Sequence, residues 1–393
     1  MKNRLEKKKH VKKDRSKKYT RYDIYMVFAC ILLLVSGIFT VWAAKDTQMA
    51  QWYSVHIYPL LVMSIGRAAG MVSFSVSEIL IYLLLLLFLL SFIQMIWKIY
   101  RGRKKGEAFF EWFSRVFLAL GILVFLYVVG CGINYHRIPF SEEAGIRTAD
   151  YTVEELEEIC IWLTEEVNER AEQVKRDSSG LLCFGGVSDT EKGDLAGETK
   201  PDTVRRDAVS AMEKLGEEFA CLKGYYPQPK GLVVSELLSY QGLTGIYLPF
   251  TIEANYNEDM TAYNIPFTLC HELSHLRGFM QEQEANFIAF LACTEYESIE
   301  FQYSGYLSGW VYCMNTLYDV SPERWQETRA MLSAAAEPDL AANNVFWKAY
   351  DGTVAEVANQ VNDTYLKANG QEDGVHSYDR MVDLIVEYFY KKL

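Results

Sequence analysis

Three long apolar runs mark the first third of the chain, at residues 24–44, 76–97 and 116–133. Each is close to the ~20 residues that a helix needs to cross a hydrocarbon core ~30 Å thick. The second run contains the unbroken stretch Leu83-Leu84-Leu85-Leu86-Leu87-Phe88-Leu89-Leu90. Polar breaks separate the runs, so the pattern predicts three transmembrane helices within 24–135, behind a basic tail at 1–23. Positive charge then orients them. Residues 1–22 hold eleven Lys and Arg, 45–75 hold only Lys45 and Arg67, and 98–115 hold six. The N-terminus and the second connection are therefore expected in the cytoplasm, with everything from residue 136 outside. A signal peptide would carry a shorter basic region. The membrane bilayer is the expected partner, with the tail touching anionic lipid.

Beyond residue 136 the pattern changes. Helical periodicity runs through 152–176 and 202–224, and Thr152-Val153-Glu154-Glu155 reads as a capped start. Residues 177–201, with Ser178-Ser179-Gly180 and Gly185-Gly186, read as a linker. After Pro227 and Pro229 come short β-like runs, Leu232-Val233-Val234 and Tyr247–Ile252. Helices are then expected over 282–296, 299–318, 321–336, 340–367 and 377–391. The fold class is α-dominated α+β with a small sheet, and 136–393 forms one extracytoplasmic region large enough for its own core. This region has 20 Lys and Arg against 44 Asp and Glu, a formal charge of −24. That balance excludes nucleic acid as a partner and suits a solvated domain. Eight cysteines are scattered without a CxxC pair, and their spacing demands no disulfide.

The chemistry concentrates at His271-Glu272-Leu273-Ser274-His275. Histidines four apart share one helix face and can grip one ion together. Glu272 between them is placed to take a proton from water. The chain has six histidines in all, and two fall in this motif. A catalytic zinc site takes three protein ligands, so a third is needed. Glu282 would lie ~10 Å further along if the helix continued, so the helix must stop first, and Gly278 suits that stop. Gln281 occupies the place of a third histidine and is a poor ligand. Glu282 is preferred to Glu284 because Asn286, four residues on, shares its face and can orient it. Cys270 points ~100° away from His271 around the helix. His376, Tyr378 and Arg380 are candidate donors to an oxyanion; the same segment also reads as a helix cap with Ser377 at its start. The run Tyr247–Ile252 is either a structural hairpin or an edge strand able to pair with an extended peptide.

The string His-Glu-Leu-Ser-His-Leu-Arg-Gly-Phe followed by Glu282-x-Glu284-Ala285-Asn286-Phe287 resembles the bacterial membrane family called domain of unknown function 3810. The likeness includes Gly245-Ile246-Tyr247-Leu248-Pro249-Phe250 and Tyr365-Leu366-Lys367-Ala368-Asn369-Gly370. Glu282-x-x-Ala285-Asn286 also resembles the Glu-zincin peptidases, where such a helix supplies the third ligand. That resemblance implies a zincin-like domain with zinc held by His271, His275 and Glu282. It also implies Glu272 as general base in hydrolysis of peptide or envelope-protein substrates. The competing expectation is a non-catalytic envelope or sensor protein with a structural or ligand-binding metal site.

Overall fold

The computed structural model describes residues 21–146, 150–184, 200–371, 373–374 and 380–390. Among them, three helices are long and apolar enough to cross a membrane: Arg21–Lys45, Val76–Tyr100 and Lys105–His136. Each contains one of the predicted runs. The third extends well N-terminal of its run, because Lys105–Arg115 interrupts the apolar run with Lys105, Glu107, Glu111 and Arg115 yet continues the helical hydrogen bonding.

The chain forms two compact units. One joins Met1–Gly37 to Leu84–Phe125, and the other joins Ile38–Leu83 to Leu126–Leu393. In the first, the buried carboxylate of Glu111 receives Lys98 (2.7 Å), Arg103 (2.6 Å) and Arg115 (2.7 Å). Gly121 lets two helices approach closely, since a Cβ there would lie 3.2 Å from the Ala29 Cα.

The second unit carries the rest of the fold, and it includes the connection between the first two apolar helices. The sequence reading set the outer domain at 136–393; the compact unit takes in 46–75 as well. Tyr58, Val62 and Ala69 of this connection are buried. The Tyr58 hydroxyl donates to the Leu276 carbonyl (3.0 Å) and shares a hydrogen bond with Tyr247 (2.8 Å). Its helical pieces, such as Tyr58–Leu61 and Arg67–Ala69, are too short to show a periodic signal.

The sheet has three strands: β1 (Lys230–Gly231), β2 (Gly245–Leu248) and β3 (Glu253–Tyr256), in the order β1-β3-β2. β1 runs parallel to β3 and β2 antiparallel to it. The first expected strand, 232–234, instead leaves the sheet after Leu232. The Val233 and Val234 N–H groups bond the Glu78 carboxylate at 2.9 and 3.0 Å. The second, Tyr247–Ile252, straddles a hairpin turn. Pro249 follows β2, and Ile252 takes φ 54 to reverse the chain into β3. Gly130 makes room for this turn, because a Cβ there would sit 2.6 Å from the Pro249 carbonyl oxygen.

Glu253 and Lys230 tie the sheet to the second apolar helix. Both are buried and bonded to each other. Glu253 also accepts the N–H groups of Val76 (3.1 Å) and Ser77 (2.8 Å), the open donors at that helix's start. Burial pushes the Glu253 pKa up, but Lys230, Thr251 and these two N–H groups outweigh it and hold the carboxyl below its ordinary value.

Around the sheet pack the helices. Val153–Ala171 opens with the expected capping box between Thr152 and Glu155 and buries Leu156, Ile159, Leu163 and Val167. It lies against Ile299–Val320, with Trp310 Nε1 donating to Thr164 (2.8 Å). The single helix expected over 340–367 is two, Glu337–Tyr350 and Thr353–Ala368. Gly352 at φ 153 separates them, in a backbone region that favours glycine. None of the eight cysteines forms a disulfide.

Candidate metal centre

Two helices at the centre of the unit carry the candidate ligands. Asn264–Leu276 is buried along its length from Pro266 on, and Glu282–Thr294 is buried everywhere except Gln283. Such helices belong inside a core, so their polar side chains need partners. The first helix stops where the spacing argument required. Gly278 takes φ 98, and the Phe279 N–H returns to the Ser274 carbonyl (3.1 Å), closing the end. The chain then turns and starts the second helix at Glu282, whose N–H reaches Gln371 Oε1 (3.4 Å).

This turn brings His271, His275 and Glu282 together, with one ligand atom from each lying within 4.8 Å of the others. Glu282 Oε2 is 3.3 Å from His271 Nε2 and 3.5 Å from His275 Nε2. The imidazoles stand nearly perpendicular, at 85°, which lets both Nε2 atoms converge. His275 Nδ1 bonds the Phe279 carbonyl (2.8 Å), so Nδ1 carries the proton and Nε2 keeps its lone pair for a metal. Asn286, buried on the second helix, sits near His271, and neither its Nδ2 nor the His271 Nδ1 has a hydrogen-bond partner. Glu284 points elsewhere. Its carboxylate accepts the backbone N–H (2.8 Å) and the hydroxyl (2.9 Å) of Ser141.

Without a metal, the buried charges polarise one another. Burial acts against the charge on Glu282, but His275 and His271 overcome it and hold its pKa well below the usual carboxylate range. Glu282 in turn raises His275 to about 9 against the opposing effect of burial. Burial and His275 lower His271. Glu272 is outside this trio. Burial raises its pKa to about 8, only partly opposed by His275. Glu272 lies directly against β2: a Cβ on Gly245 would fall 2.5 Å from Glu272 Oε1 and 2.9 Å from the Asn255 carbonyl.

The centre opens into a cavity of about 940 Å³. β2 forms one wall. Because β3 pairs with it on one side only, β2 is an edge strand. The Thr244 carbonyl accepts the Asn257 N–H (2.8 Å), and Ile246 and Leu248 stand opposite Asn255 and Glu253. Alternation along an antiparallel pair then turns the backbone groups of Gly245 and Tyr247 to the open edge. Helix Thr353–Ala368 contributes Val354, Val357, Val361 and Tyr365 to the lining. Tyr127, Cys131 and Tyr135 complete it, with the Tyr135 hydroxyl donating to Tyr365 (3.2 Å).

The sequence reading did not pick out these tyrosines as site residues, nor the valine stripe. The stripe is visible in retrospect as valines three and four apart. The tyrosines carry no local signal, because they reach the site only through the fold. Of the proposed oxyanion donors, His376 and Tyr378 lie outside the described residues. Arg380 is exposed, pairs with Asp373 and does not line the cavity.

The described residues thus combine a helix-rich fold, three helices long and apolar enough to cross a membrane, and a buried His-His-Glu cluster. The protein belongs to the family described as protein of unknown function DUF3810, whose family model matches residues 53–386. No curated protein and no solved structure matches it.

Proposed function

We propose that the chain is a membrane-anchored zinc metallopeptidase of zincin type, acting on peptide or protein substrates outside the cytoplasmic membrane. The observation that carries this reading is a buried His-His-Glu donor set beside a buried carboxylate that is not part of it. The donors suit zinc: two imidazoles and a carboxylate whose buried Oε2 accepts no conventional hydrogen bond. Among the described residues the cluster has three members, which leaves a coordination position for chemistry; a structural site is usually closed by a fourth protein ligand. Zinc held there would polarise a carbonyl and lower the pKa of water.

The remaining roles belong to the chain. Glu272 takes the proton of the attacking water and passes it to the leaving amine. The open edge of β2 holds the substrate backbone in an extended form across the site. Tyr135 and Tyr365 bring hydroxyl donors to the same cavity. The basic tail and the sparse charge of 45–75 support an outward-facing site.

Metal analysis of the purified full chain tests the centre. About one zinc per chain is expected. His271→Ala and Glu282→Gln should each lose most of it, while Glu284→Gln should keep it. Full occupancy in His271→Ala would remove the assignment.

Gly245 offers a separate check. Gly245→Ala would press a methyl group onto Glu272 and the β3 backbone. It is expected to cost about 1–3 kcal/mol of stability, the scale of overpacking, and to slow peptide hydrolysis. Unchanged melting temperature and rate would show that β2 does not press on Glu272.

A further inference from the structure

We infer that the cleft selects an internal, extended and uncharged apolar segment of a longer chain, making the protein an endopeptidase for such sequences. This rests on the metallopeptidase reading and adds the substrate class to it.

Three features of the cavity lead to that choice. First, the open edge of β2 presents the N–H and C=O groups of Gly245 and Tyr247, which call for a peptide backbone; a lipid tail offers nothing to pair with them. Second, the helix Thr353–Ala368 lines the same cavity with Val354, Val357, Val361 and Tyr365 at helical spacing, flanked by the uncharged Asn359 and Asn362. These valines are 58, 53 and 63% exposed, and only Leu366 of that helix is buried. Tyr365 packs on Tyr127 and Tyr135, but the three valines stay largely uncovered among the described residues, with the charged Glu356, Asp363 and Lys367 placed off their stripe. Ile246, Phe250 and Met280 add apolar surface, and Tyr127 and Cys131 belong to the third apolar span, Lys105–His136. Side chains of a strand paired to β2 would alternate between the cavity walls, and apolar ones match what they meet.

Third, the lining lacks the charges that capture a chain end. None of the described residues lining the cavity is Lys, Arg or Asp, and its only carboxylates are Glu272 and Glu282. A carboxypeptidase needs a cation for the terminal carboxylate, and an aminopeptidase needs an anion for the terminal amine. Glu282 is committed to the metal cluster and Glu272 to proton transfer. A buried charged substrate side chain would also find no opposite charge to offset its desolvation.

The test uses the full chain in detergent, loaded with zinc, and ten-residue fluorogenic peptides. One set is acetylated and amidated with a central Val, Leu and Phe run. A second carries Asp or Lys at alternate positions, and a third has the apolar run but free ends. The blocked apolar peptides should be cleaved internally, with kcat/KM at least about tenfold above the charged set, and freeing the ends should bring no gain. Binding is read separately: Glu272→Gln chain should bind a fluorescein-labelled, blocked apolar peptide. Val357→Asp with Val361→Asp in that background should weaken binding about tenfold or more, with zinc content and helicity unchanged. Equal cleavage of charged peptides, a requirement for a free end, or binding indifferent to the two valines would overturn the inference and leave the peptidase standing. A zinc-loaded chain that cleaves none of the peptides would overturn both.

Discussion

Glu272→Gln is expected to abolish most peptide hydrolysis while leaving zinc in place. Glutamine preserves the size of the side chain and its packing beneath Gly245, but it cannot accept the proton of the attacking water. Loss of a general base typically lowers turnover by ~10²–10⁴. The metal should stay because the ligand atoms belong to His271, His275 and Glu282, with Glu272 outside the cluster. Turnover and metal content measured on the same preparation separate these effects. Loss of zinc together with activity would make Glu272 part of the metal site. Full activity with zinc retained would remove the enzyme reading and favour a binding or sensory role.

The largest expected effect on stability lies elsewhere, at Glu253. Glu253→Gln leaves the buried Lys230 ammonium without a counter-charge, bonded only to neutral oxygens, the new amide and the Ala69 carbonyl (2.7 Å). It also weakens the acceptor for the first N–H groups of the second apolar helix. Removing one partner of a buried pair costs about 3–5 kcal/mol. Adding Lys230→Met should recover part of that loss, because no charge is then left unpaired. Thermal unfolding of the detergent-solubilised chain reads both variants. A cost below about 1 kcal/mol for the single variant would mean that the pair is solvated and weak. The pH dependence has a definite sign. The folded-state pKa of Glu253 is depressed, so its contribution is complete above the ordinary carboxylate pKa and disappears as pH falls through the lower folded value.

The membrane helices were legible in the sequence because crossing a bilayer demands long uninterrupted apolar runs, a local property. The pairing of His271 with His275 was equally local, since helix geometry alone sets residues four apart on one face. The choice of Glu282 rested on Asn286 four residues on, after a helix stop at Gly278, and the structure places that carboxylate against both imidazoles. The helix break at Gly352 was missed because the residues on either side are helix-compatible and one glycine does not by itself end a helix. The extent of the hairpin was misread because Tyr247–Ile252 is β-like throughout, while the reversal depends on Ile252 being packed into the core at a positive φ.

Sequence by itself determined the elements whose causes lie within a few turns of chain: the apolar helices, the capped start at Thr152, the two-histidine motif and the glycine stop that follows it. Tertiary structure decided everything that depends on distant segments meeting. Only the fold sets Gly245 against Glu272, sends Glu284 to Ser141, and builds Tyr58 into the end of the ligand helix. Only the fold turns the stripe of Thr353–Ala368 toward the same cavity as the edge of β2. These contacts join residues far apart in the chain, and each is selected by shape, burial and hydrogen-bond satisfaction across the whole core, which no local pattern encodes.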